Sequence, residues 1–146
     1  MSRKRPRRGD AIRKEVRKRE EQFKKSIPCP CGHKAVLARS TEVWRKDYGF
    51  IYICRRCGAY VGCHSNSSEP LGTPANVTLR RLRKKCHELF DPLWLRSKNK
   101  RKNRKRAYRF LQKVLGVDEE RAHIGMLTKE ECKKLIKILE ESNDRE

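Results

Sequence analysis

At 146 residues the chain has room for one domain or one and a half, with a modest core. Charged residues (39%) outnumber hydrophobic ones (36%), so much of the chain must be solvated, and no apolar run approaches membrane-spanning length. The formal charge of +21 points away from cationic partners and towards a polyanion, most simply nucleic acid.

That charge is uneven. Residues 1–25 hold 12 Lys/Arg against 4 acids, residues 80–109 hold 14 against 2, and the remainder, 13 against 12, nearly balances. The basic N-terminus has no apolar stretch after it, so no secretory signal is expected. Seven cysteines is an odd number. In the reducing, cytoplasmic setting this implies, thiols that serve a metal fit better than a disulfide framework.

Residues 1–26 read as a basic arm that turns helix-compatible after Asp10. Ile12, Val16 and Phe23 are too few for an apolar stripe, so the segment is expected to lack a stable fold alone. Arg5, Arg7 and Arg8 are its candidate phosphate contacts.

Residues 27–64 carry the strongest chemical signal. Two close pairs, Cys29 with Cys31 and Cys54 with Cys57, are each followed by glycine, Gly32 and Gly58. Tetrahedral Zn2+ takes four thiolates from two such turns, and glycine lets each turn fold back under the metal. The first pair, C-x-C, has a narrower bite than the C-x2-C of a zinc ribbon. Cys63 and His64 follow closely and stand as alternative ligands, or as the start of a second metal site. Between the pairs, KAVLAR and the run from Tyr48 to Ile53 predict two strands, with a turn within 40–47; AYV offers a third. Trp44, Tyr48, Phe50 and Tyr52 are either core or a platform for bases.

Residues 65–146 predict a basic helical region. Thr73 is the expected N-cap of a first helix reaching Phe90, with Pro74 at its first position. Leu79, Leu82, Cys86, Leu89 and Phe90 mark its apolar face, while Arg80, Arg83, Lys84 and His87 mark a basic outer stripe and are its candidate phosphate contacts. Asp91-Pro92 ends it, and Leu93, Trp94 and Leu95 are expected to cap the core. A second helix follows the basic run 97–106 and packs through Ala107, Tyr108, Leu111, Val114 and Leu115. Lys100, Arg101, Lys102, Arg104, Lys105 and Arg109 are its candidate phosphate contacts, and Gly116 ends it. Thr128 and Glu131 form a capping box for a last helix, packed through Cys132, Leu135, Ile136 and Leu139. His123 has no evident partner. The expected fold class is therefore α+β: a zinc ribbon with a small antiparallel sheet, then about three helices.

From Cys29 to about Leu139 the chain resembles a family of bacterial and phage proteins, the small zinc-finger-containing domain family. CPCG, DYG (47–49), AYVGCH (59–64), PLGTPAN (70–76), LRRLRKKCH (79–87), FDPLW (90–94) and HIGMLTKEEC (123–132) carry the resemblance. Members are expected to show C-P-x-C in the first knuckle, whereas here Pro28 stands where the first ligand would be. The resemblance therefore implies that Cys29 has taken over that role, or that the site draws on Cys63 or His64. It also implies zinc and a phage or prophage setting in a bacterial host, without a particular activity.

The leading functional expectation is a non-enzymatic zinc protein, a regulator that binds DNA or RNA through its basic helices and arm. The second is an adaptor docking on a host nucleoprotein machine such as RNA polymerase or the ribosome. The third is a metal-dependent nuclease, because His64, Asn76 and His87 fall in the H…N…H order of ββα-metal sites.

Overall fold

The computed structural model describes residues 8–22 and 24–145. The chain divides into two units, Met1–Pro70 and Leu71–Glu146. Composition placed a boundary after His64, but the next residues fold back onto the first unit. Cys63 bridges to Pro70, the His64 N–H donates to the Glu69 carbonyl at 3.0 Å, and the Tyr52 hydroxyl donates to the Ser68 carbonyl at 2.7 Å.

The first unit opens with helix α1 (Arg8–Gln22), built from long charged residues of good helix propensity. Its side chains from 12 to 18 are all exposed, Ile12 and Val16 included. Arg5 and Arg7 lie outside the described residues, as does Phe23; Arg8 begins the helix. A four-stranded antiparallel meander follows: β1 (Ser26–Pro28), β2 (Lys34–Arg39), β3 (Phe50–Ile53) and β4 (Tyr60–Gly62), in that spatial order. Strand β1 was not anticipated; three residues with a proline give little strand signal, yet proline is tolerated on an edge.

Period-two alternation puts Ala35, Leu37, Phe50, Tyr52 and Val61 into one cluster with Cys29 and Cys54. Tyr52 is thereby core and unavailable to a base. The link from β2 to β3 is closed by Ser40, which is fully buried. Its Oγ accepts from the Tyr48 N–H at 2.7 Å, while Asp47 Oδ1 accepts from the Gly49 N–H at 2.8 Å. Gly49 has φ +102°, which explains why a glycine ends the DYG turn.

The second unit contains α2 (Val77–Phe90), a single turn α3 (Pro92–Leu95), α4 (Lys100–Leu115) and α5 (Lys129–Asp144). Cys86, Phe90, Leu111, Ile124, Leu127, Cys132 and Leu135 form its fully buried centre. Both cysteines of this unit are core, as helical spacing suggested. Of the three residues in α3 expected to cap that core, Trp94 packs against it, while Leu93 and Leu95 are exposed. Thr128 and Glu131 form the full capping box of α5, and Gly116 ends α4 in the left-handed conformation.

Two sequence expectations need correction here. Helix α2 is capped by Asn76, whose side chain accepts from the Leu79 N–H at 2.9 Å, and not by Thr73. Thr73 lies in a preceding loop that crosses the 3-10 turn Ile124–Met126 so closely that a Cβ on Gly72 would meet the Gly125 carbonyl oxygen at 2.0 Å. The Thr73 N–H donates to that same carbonyl at 2.9 Å. Backbone contact without intervening side chains accounts for glycine in both PLGTPAN and HIGM.

Arg83 is the second correction. It is only 8% exposed and cannot belong to a basic outer stripe. Its position follows Leu79 by four and precedes Cys86 by three, so it falls on the apolar face by helical spacing. There its guanidinium donates to the Thr73 carbonyl at 2.7 Å, to Thr73 Oγ1 and to the Leu127 carbonyl at 2.9 Å. Arg83 is an internal staple between the 71–75 loop and the entry to α5. Arg83→Met would orphan these acceptors and is expected to destabilise the unit by about 2–4 kcal/mol, whereas Arg81→Met on the exposed side should stay within about 0.5 kcal/mol. Urea unfolding followed by helical circular dichroism checks this; equal midpoints for the two variants would remove the internal role from Arg83.

Candidate metal centre and basic surface

The two cysteine turns are built on the same hydrogen bonds. In the second, the Gly58 N–H donates to the Cys54 carbonyl at 2.7 Å, and the Cys54 N–H donates to the Ala59 carbonyl at 2.8 Å. In the first, the Gly32 N–H donates to the Cys29 carbonyl at 2.9 Å, and the Cys29 N–H donates to the His33 carbonyl at 2.8 Å. The narrower C-x-C bite is therefore the same knuckle made one residue tighter. Gly32 and Gly58 both have positive φ, +92° and +79°, as such a reversal requires.

The result is a cluster in which the sulfurs of Cys29, Cys31, Cys54 and Cys57 all lie within 4.8 Å of one another. Across the knuckles, Cys29 Sγ is 3.6 Å from Cys57 Sγ, and Cys31 Sγ is 3.6 Å from Cys54 Sγ. A tetrahedral ion with metal–sulfur bonds of about 2.3 Å requires sulfur–sulfur edges of about 3.8 Å. The donor set and its spacing thus fit a four-thiolate metal site, for which zinc is the best match. Cys63 and His64 do not join the cluster. Cys63 is half-buried against the sheet core, and His64 is exposed.

Sequence reading missed His33, whose Nδ1 lies 3.6 Å from Cys31 Sγ. An N–H at that position supports a thiolate ligand from outside the coordination sphere. Its place just after the knuckle glycine was the available signal.

The thiols are not equivalent. Burial pushes the Cys29 thiol up to about 12. The Cys57 backbone N–H, against the opposing effect of burial, draws Cys54 down to about 6, helped by the Arg56 N–H and the Cys31 thiol. Of the two, Cys54 is therefore the readier to ionise and Cys29 the more reluctant.

A family described as a zinc-finger-containing domain matches residues 25–142. The chain belongs to that family. The match begins at the approach to β1 and runs into α5, so the zinc-finger-containing domain embraces both the cysteine cluster and the helical unit. No curated protein and no solved structure matches the chain.

The basic residues of the zinc-finger-containing domain separate into groups. Arg83 is internal. Arg80 is half-buried and donates to the Ala75 carbonyl, and His87 Nδ1 lies 3.1 Å from Asp91 Oδ2. Lys84 is exposed. On α4, by contrast, Lys100, Arg101, Lys102, Arg104, Lys105 and Arg109 are all exposed. Among the described residues no carboxylate forms an ion pair with them.

The geometry also weighs on nuclease chemistry. Asn76 caps α2, and His87 lies eleven residues along it, about 16 Å at 1.5 Å per residue. Asn76 and His87 are thus held apart along the helix, and each already has a local partner, the Leu79 N–H and Asp91.

Serine substitution of Cys29, Cys31, Cys54 or Cys57 is expected to weaken zinc affinity by about a hundredfold or more, whereas Cys63→Ser should leave zinc content unchanged. Loss of zinc from the Cys63 variant would move that residue into the ligand set. Because Cys29 must shed a proton on binding, apparent affinity should fall by at least about tenfold per pH unit between pH 8 and 6. Competition with a chromogenic chelator across that range gives the slope.

Proposed function

We propose that this protein is a non-enzymatic zinc-binding, nucleic-acid-binding protein, in which the cysteine cluster organises the sheet unit and α4 supplies the principal phosphate contacts. A regulatory role in the cytoplasm of a bacterial host, in a phage or prophage setting, belongs to the same reading and draws on the sequence resemblance. For the described residues, no helix is long and apolar enough to cross a membrane.

One observation carries the reading. The sequence of α4, KRKNRKRAYRFLQKVL, contains no acid, and its cations begin at the helix N-terminus. The helix macrodipole disfavours positive charge there, typically by about 0.3–1 kcal/mol per group. Helix stability alone would place Asp or Glu in that turn, as it does in α5 with Glu130 and Glu131. Concentrating exposed cations where the fold resists them makes physical sense when an external polyanion offsets their mutual repulsion. Lys84 on α2 would add to the contact.

Binding of this kind releases counterions, so affinity should fall steeply with salt. Replacing Arg101, Lys105 and Arg109 together by Gln is expected to reduce the slope of log K against log salt by roughly two to three, since each phosphate contact contributes about 0.7–0.9. Fluorescence anisotropy on labelled duplex DNA, single-stranded DNA and structured RNA over a salt series measures it. An unchanged slope would place the contact elsewhere. Failure of every nucleic acid to bind at near-physiological salt would favour the adaptor reading, in which a protein surface is the target.

A further inference from the structure

In the second unit a cleft of about 490 Å³ lies between α4 and the segment from Glu119 to His123. Its size falls within the range of pockets that enclose small ligands, roughly 300–1,000 Å³. Three features make it more than a gap. Four cations, Arg101, Arg104, Lys105 and Arg109, line it against a single acid, Glu119. Arg104 is already positioned, with its guanidinium 4.8 Å from the Tyr108 ring centre and 5.4 Å from that of Trp94. Opposite α4 stands His123, an exposed ring whose centre is 5.7 Å from Tyr108 and tilted by 54° to it.

Resting on the nucleic-acid reading above, we propose that this cleft holds an unpaired nucleotide and so makes the protein selective for single-stranded nucleic acid. The rounded backbone of a duplex meets the exposed cations of α4 but keeps its bases paired and stacked away from a concave site. A single strand can turn a base inward. Its phosphate then lies on Arg101, Lys105 and Arg109, which recur every four residues along one side of α4. Its base stacks on the His123 ring or on the flat guanidinium of Arg104, both surfaces that accept any base. Gln112 and Glu119 line the same cleft and provide neutral and anionic hydrogen-bonding groups for base or sugar edges. Glu119 also disfavours phosphate beside it, which sets the polarity of the bound unit along the helix.

The test separates this proposal from general charge attraction by changing groups that carry none of α4's positive charge. In the intact zinc-loaded protein at near-physiological salt, Gln112→Ala with His123→Ala is expected to weaken a labelled oligothymidylate by about tenfold or more and to leave a duplex of equal charge unchanged. Arg81→Gln with Lys84→Gln, on the exposed side of α2, should weaken both substrates by the same factor. His123 is exposed and Gln112 is not fully buried, so the variants are expected to keep the wild-type unfolding midpoint. Equal losses on both substrates, or none on either, would overturn the cleft while leaving nucleic-acid binding in place. Absence of binding by the wild type to any nucleic acid would remove the reading beneath it as well. Displacement of the oligothymidylate by an acidic peptide of equal charge and at equal concentration would overturn the nucleotide and assign the cleft to protein.

Discussion

With 36% hydrophobic residues divided between two units, each unit has only a modest apolar area to close on. Each resolves the shortage with a polar anchor at its centre. In the sheet unit the anchor is the cysteine cluster, whose knuckles reuse one pair of backbone hydrogen bonds. Four sulfurs within 4.8 Å repel one another as they lose protons, so the arrangement is favourable at neutral pH when a cation sits among them. In the helical unit the anchor is Arg83, a permanent charge satisfied by oxygens of Thr73 and Leu127. A buried guanidinium stabilises only when its donors are matched, and here the matching ties loop to helix.

The surface follows the opposite logic. α4 accumulates charge of one sign without acids to balance it, so its cations repel one another. Acids are plentiful elsewhere: Glu42 pairs with Arg55 at 2.8 Å, and Glu131 with Arg121 at 2.7 Å. The excess is thus local. Such a helix is suited to a partner that arrives with its own negative charge.

Much of this architecture is legible in the sequence, and what is hidden there shares a physical reason. The cysteine pairs, the strands β2 and β3, the capping box at Thr128 and the core role of Cys86 and Cys132 all depend on short-range pattern. Periodicity, turn chemistry and caps express themselves within a few residues. The role of Arg83 depends on Leu127, 44 residues away, and residue type alone made it look like a surface cation. Thr73 looked like a helix cap because Pro74 follows it; the long-range bond to Gly125 keeps it in a loop instead. The tightened first knuckle was ambiguous for a different reason. Counting residues between cysteines measures the bite, whereas closure depends on which carbonyl the glycine N–H reaches. The cleft could not be read at all, because it joins α4 to a segment beyond its end.

That segment ties the two themes of the helical unit together. The run from Glu119 to Leu127 lines the cleft at one end and accepts the Arg83 guanidinium at the other. Between them Arg121 donates to the Met126 carbonyl at 3.0 Å and to Glu131 at 2.7 Å, so the segment is pinned to the α5 capping box as well. The Gly125 carbonyl, bound by the Thr73 N–H, pins it a third time. A wall held at so many backbone points presents His123 at a set distance from α4, although His123 itself is exposed. The buried arginine and the exposed cations therefore meet through one segment. Arg83 helps to fix the loop that faces α4, and without that wall the helix would present only a charged rod.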